Sequence, residues 1–225
     1  MALRLPPYQT LPAPAADGND LLEVPLAELQ PTQLCVGLAE IRSRQRDFAG
    51  DSIEERRRYL QRKPTPLVRS AAGELWMVDR HHRLRALMEL DPDASAFGYV
   101  ALQLRVAERA EVLAELHQRG WLYLYDGRGL GPQPPTALPR RLTETHDDPY
   151  RSLVWKLKRE KVIAPAPLIP FHEFRWGAWL RSRSLPPFSS ERLEPALPSA
   201  RALARSAAAR HLAGWVGPQH DQRDD

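Results

Sequence analysis

ELWMVDRHHRLRALMEL, residues 74–90, changes its period halfway along. Glu74–Asp79 is an apolar, extended run. Pro66–Ser70 before it is a second such run, and Ala71–Gly73 between them has turn composition, so the pair predicts a β-hairpin. From Arg80 to Leu90 the leucines 84, 87 and 90 recur every three residues, with alanine and methionine between them, which predicts a helix with a buried face. Asp91-Pro92 ends that helix, because the residue before proline is driven out of the α region. A strand thus runs into a helix through Asp79-Arg80-His81-His82-Arg83.

Upstream, Leu22–Leu26 reads as a short strand closed off by Pro31. Leu34, Leu38 and Ile41 at spacings of four and three predict a helix from Gln33 to Phe48, ended by Gly50. Asp51 is expected to cap a second helix, with Glu54 completing an acidic capping box and Pro64 as its stop. Downstream, Val100–Val106 alternates apolar and polar residues, a strand with one wet face, and Arg109–Arg119 is an amphipathic helix ended by Gly120. Trp121–Tyr125 has strand composition. Asp148-Pro149 predicts an N-cap with proline at the first helical position, followed by a stripe of Tyr150, Leu153 and Leu157. Phe171–Arg181 is an aromatic helix, and Ser199–Leu212 an Ala/Arg helix. The fold class is α/β (α+β): a small mixed sheet with packed helices and a helical C-terminal extension. The expected division is a flexible leader over 1–20, the α/β unit over 21–120, a helical extension over 121–183, and a Pro-rich segment, helix and frayed tail over 184–225.

The 225 residues are 43% hydrophobic and 27% charged, proportions that build a real core. No window reaches the ~18 unbroken apolar residues of a membrane helix. The first twenty residues hold four prolines and no apolar h-region, so they do not read as a secretory signal. Cys35, the single cysteine, excludes an internal disulfide framework and a multi-cysteine zinc site. The expectation is a reduced, cytoplasmic protein without a membrane partner. Charge is uneven: Arg42–Lys63 carries eight basic residues against four acidic ones, the whole of the net +4. Such a face suits a nucleotide, a phosphate or nucleic acid, and equally describes a solvated surface.

The chemistry concentrates at Asp79–Arg83. At a helix start the first backbone N–H groups point outward and the dipole favours an anion. Two imidazoles and two guanidiniums there supply donors in several directions, and Arg83 can grip phosphate with two parallel bonds. Asp79 has three readings: helix N-cap, holder of a histidine tautomer, or metal ligand. Gly127–Gly131 could cradle phosphate but lacks a following helix and is expected to be an ordinary loop. Asp148 of His146-Asp147-Asp148 is expected to cap rather than to bind metal. His172 and Glu173 are expected on the surface, and Trp155, Trp176 and Trp179 in a core extension.

The hairpin leading into D-x-H-H-R-L-x-A-L over Asp79–Leu87, preceded by Val24-Pro25-Leu26, Pro31-Thr32-Gln33 and Val36–Glu40, resembles the ParB/sulfiredoxin superfamily. It is most similar to the branch labelled putative ParB-like nucleases, which Asp148–Leu153 and Pro170–Arg181 also resemble. The resemblance implies a nucleotide (ATP, ADP or CTP, with Mg²⁺) whose phosphates lie on this helix N-terminus. Arg80, His82 and Arg83 would bind it, together with Thr32 and Gln33 of the P-T-Q motif. His81 falls where sulfiredoxins carry their nucleophilic cysteine, which rules out that activity. By likeness to free serine kinases of the same fold, Glu40 would act as base. Asp79 would sit near the transferred phosphoryl group or its metal, and His81 beside them among the catalytic candidates. Arg80 departs from the glycine that related sequences have there, adding a side chain where phosphate would approach. No helix-turn-helix of the partition proteins is found. The alternative function is non-enzymatic nucleic-acid binding through the Arg42–Lys63 face.

Overall fold

In a computed structural model that describes residues 3–14 and 21–218, the hairpin forms as expected, with β4 at Thr65–Arg69 and β5 at Leu75–Met77. Gly73 supplies the turn at φ +87°, a left-handed conformation that costs glycine no Cβ clash. Three further strands complete the order β1-β6-β4-β5-β2, with β1 at Leu22–Pro25, β2 at Leu29–Pro31 and β6 at Ser95–Gln103. The β1/β6 and β4/β5 pairs are antiparallel, the β6/β4 and β5/β2 pairs parallel. The sheet is mixed, and the fold is α+β. The remaining leader positions and tail residues 219–225 lie outside the described residues.

The chain divides into two units. The first holds the described residues of 4–36 and 40–147, the second Leu3, residues 37–39 and everything described from Asp148 on. In the first, Val68, Trp76 and Val78 on one sheet face pack with Leu104, Val112, Leu116, Trp121 and Leu124. Helix α4, Arg109–Gln118, supplies Val112 and Leu116 to that layer. Leu67 and Met77, paired in register on the opposite face, are also fully buried. The second unit packs α5 (Pro149–Arg159), α6 (His172–Arg181) and α7 (Leu197–Arg205) around Leu153, Leu157, Trp176, Leu180, Leu197 and Ala200. Asp148 caps α5 by accepting from the backbone N–H groups of Tyr150 and Arg151, as the Asp-Pro pair predicts.

Several boundaries differ from the expectation. Helix α1 is Leu38–Gly50 rather than beginning at Gln33, because Cys35–Val36 is drawn out as strand β3 against β7, His146–Asp147. That partner lies about a hundred residues away in sequence, so no local pattern announces it. Helix α2, Ile53–Arg62, starts one residue later than expected: Ser52 is the N-cap and Glu55 closes a reciprocal capping box. Strand β6 begins at Ser95, not Val100, since it must reach back to pair with β1. Trp121–Tyr125 is buried and joined to Gln33 only by an isolated bridge at Tyr123. The last helix runs Leu197–Arg205, and Ala207–Ala209 continues as one 3-10 turn.

Candidate functional site

Strand β5 delivers Asp79 to the surface, and helix α3, His81–Leu90, begins two residues later. Arg80 makes the turn in left-handed conformation, φ 76° and ψ 11°. That geometry explains why glycine suits the position: a side chain there costs roughly 1–2 kcal/mol. The Asp79 carboxylate accepts the Arg80 backbone N–H at 2.7 Å and lies 3.3 Å from the Arg80 guanidinium. Asp79 therefore braces the turn, and its side chain remains half exposed at 54%.

His81 faces inward and is buried. Its Nε2 accepts the Thr32 backbone N–H at 3.0 Å, while the Thr32 hydroxyl donates to Met77 O at 2.9 Å. An accepting Nε2 requires the neutral ring to carry its hydrogen on Nδ1. That Nδ1 is buried without a hydrogen-bond partner among the described residues. Burial pulls the His81 pKa down to about 4, opposed by the Asp79 carboxylate. Thr32 and His81 thus tie β2 to the start of α3.

Arg83 is also buried, and its surroundings define the site. One guanidinium nitrogen donates to Lys63 O at 3.3 Å, the group lies 4.9 Å over the Tyr59 ring, and Nε has no hydrogen-bond partner among the described residues. Burial pulls its pKa below the ordinary arginine value; Tyr59 and, more weakly, Asp79 oppose this, whereas the neighbouring cations of Arg80 and Arg44 add to it. Three guanidiniums therefore gather at this helix start. Two have acidic partners: Arg80 has Asp79, and Arg44 donates to the buried carboxylate of Glu40 at 2.6 and 2.9 Å. Among the described residues Arg83 has no carboxylate in salt-bridge contact, although Asp79 is near enough to favour its charged form, and an arrangement of this kind can receive an anion.

Of the sequence candidates, Asp79, Arg80, His81 and Arg83 come together with Thr32, and Glu40 joins them through Arg44. His82 and Gln33 are buried, with Gln33 Oε1 lacking a hydrogen-bond partner among the described residues. Arg44, Tyr59, Tyr8 and Tyr99 are site neighbours that the sequence pattern does not reveal, because each comes from an element remote in sequence. The sole usable signal was the basic count over 42–63. Among the described residues no cluster of three or more His, Cys, Asp and Glu side chains is arranged to hold a metal ion.

The Gly127–Gly131 loop is self-satisfied, as expected: Asp126 accepts from the N–H groups of Arg128 and Leu130 at 2.9 Å, the donors a phosphate would need. His172 is a correction. It is buried, with Nε2 2.8 Å from Ala213 O, because α6 turns that side toward the returning chain. Glu173 is half-buried beside Lys158; burial alone would raise its pKa, but Arg151 and Lys158 bring it to about 2.

Comparison with known proteins places the fold. No curated protein matches the chain. Among solved structures, it is similar to the crystal structure of protein Atu1540 from Agrobacterium tumefaciens, at 27% identity and a TM-score of 0.76, over 88% of this chain and 99% of that one. No helix among the described residues is long and apolar enough to cross a membrane. Residues 22–182, which include both the Thr32–His81 tie and the Asp148 cap, match the family described as "Putative ParB-like nuclease", and the chain belongs to that family.

Proposed function

We infer that this protein binds the phosphates of a nucleotide at the start of α3, with Arg83 and Arg80 as the principal contacts and His82, Thr32 and Gln33 completing the site. The observation that carries this reading is the Arg83 guanidinium, buried near the cations of Arg44 and Arg80, with its Nε unpaired among the described residues. Gathering like charges opposes folding, and an anion at their centre reverses the sign of that interaction. ATP, ADP and CTP are the candidate ligands. Mg²⁺ would arrive on the phosphates, where one exposed carboxylate, Asp79, suffices to complete a shell that keeps its waters. If a phosphoryl group is transferred or a phosphodiester hydrolysed, Asp79 is the exposed carboxylate beside it. Glu40, held by Arg44, would act as base only after releasing that pair. His81, neutral and tied to Thr32, would position the helix start.

Calorimetric titration of ATP, ADP and CTP with Mg²⁺ tests the reading. Wild type is expected to bind at least one of them saturably. Arg80→Ala, at a partly exposed position, should weaken binding about tenfold, the range of one charge-assisted hydrogen bond, and Arg83→Ala should abolish it. A folded wild-type protein that binds no nucleotide overturns it.

The family description favours a second reading, nucleic-acid binding on the Arg42–Lys63 face. Arg46, Arg58, Arg62 and Lys63 are exposed there, although Arg57 is engaged with Glu23 and Arg44 with Glu40. That mode should weaken steeply with salt and survive Arg83→Ala.

A further inference from the structure

The N-terminal segment crosses the first unit beside this site. The Gln9 N–H donates to Arg119 O at 2.9 Å, and Trp121 Nε1 donates to Gln9 O at 2.7 Å. The Arg4 N–H donates to the Tyr125 hydroxyl at 2.8 Å, and that hydroxyl lies 3.2 Å from Arg4 O. Gly120, at φ +68°, leaves room for Pro7: a Cβ there would lie 2.4 Å from Pro7 O. At its far end the segment is held by Tyr99, whose hydroxyl donates to Pro12 O at 2.9 Å.

The sheet register brings this strap to the lip of the anion site. Tyr99 stands opposite Pro66, and Pro66 O accepts the backbone N–H of Val78, the residue before Asp79. Tyr8 and Leu11 pack on the layer that contains Val78. The electrostatics agree with that placement. Burial, then the Asp79 carboxylate and the Tyr99 phenol, push the Tyr8 pKa up to about 12. Tyr99 is raised by burial, with Arg80 opposing and Asp79 adding. The Tyr8 and Tyr99 phenols are thus near enough to Asp79 to feel its charge, while Arg83 lies against Tyr59 of α2.

We propose that residues 4–12 form the second wall of the site and that Tyr8 contacts the nucleoside part of a bound nucleotide, its phosphates lying on Arg80 and Arg83. The inference rests on the phosphate-binding reading and adds to it the element that distinguishes a nucleotide from a bare phosphate. On the α2 side the Tyr59 ring is already covered by Arg83. On the strap side the Tyr8 ring is uncharged, which suits a base or a ribose rather than more phosphate.

The test titrates ADP and, separately, inorganic pyrophosphate into the full chain as wild type, Tyr8→Ala, Tyr8→Phe and Arg83→Ala, with thermal melts to establish folding. Tyr8→Ala is expected to weaken ADP about tenfold while leaving pyrophosphate within about twofold, since stacking on one aromatic ring has that worth. Tyr8→Phe should retain most ADP affinity, and Arg83→Ala should lose both ligands. Unchanged ADP affinity in Tyr8→Ala, or parallel loss of ADP and pyrophosphate, overturns the strap's role while leaving the phosphate site standing. Wild type that binds neither ligand, and neither ATP nor CTP, overturns both. A measurement on wild type alone stands beside these: exchange of the Gln9 amide should slow with ADP and not with pyrophosphate, and an amide indifferent to ADP contradicts the proposal.

Discussion

His81 shows how one buried ring can serve a helix start without carrying charge. Its pKa of about 4 lies below the ordinary 6.5. As pH falls the unfolded chain takes up this proton first. Stability is therefore unaffected by His81 above about pH 6.5, declines between 6.5 and 4, and levels off below. The size is on the order of 3 kcal/mol. Denaturation between pH 4 and 7 should show a shallower slope for His81→Gln, whose amide oxygen can still accept the Thr32 N–H; equal slopes would contradict the neutral, buried ring. Glu173 acts lower, its contribution present above the ordinary 4.5 and fading toward about 2, and is common to both proteins. At this scale the Asp79–Arg83 cluster was legible in the sequence, because its five residues are consecutive at a change of period. That His81 turns inward while Arg83 sits near the cations of Arg44 and Arg80 was not, since those neighbours come from other elements.

Elements show the same division. The β4–β5 hairpin and α3 follow from local pattern, and Asp148 and Pro149 start α5 by local hydrogen bonding and a fixed φ. Helix α1 does not follow: Leu34 continues its periodicity, yet the chain stays extended through Val36 because β7 is available to pair with it. In the sheet, Gly98 is required by packing rather than by φ. A Cβ there would lie 2.5 Å from the Leu67 side chain and 2.9 Å from Thr65 O. Gly98→Ala is expected to lower stability by about 1–3 kcal/mol through overpacking. Gly50→Ala, with nothing within 4 Å of the added carbon, should lose nothing. Urea midpoints of the two variants check this.

Across the whole molecule, the second unit is assembled from separated pieces of chain, and Ser152 joins two of them. Its hydroxyl accepts the Ala39 N–H at 3.1 Å and lies 2.7 Å from the Ser190 hydroxyl, and a Cβ on Gly37 would come 2.8 Å from the Ser152 backbone nitrogen. Ser152→Ala removes the acceptor from a buried arrangement and should cost about 1–3 kcal/mol; a melting temperature equal to wild type would show the tie to be dispensable. What the sequence determined by itself was the α+β class, the hairpin entering a D-x-H-H-R helix and the family resemblance, all carried by periodicity and by consecutive residues. Only the tertiary structure decided which side chains meet at that helix start. It placed Arg44, Tyr59 and the Tyr8 strap around it, drew Cys35–Val36 into a strand, and turned His81 and His172 inward. The physical reason is that these contacts join segments tens of residues apart, and packing and long-range pairing select them without leaving a period in the chain.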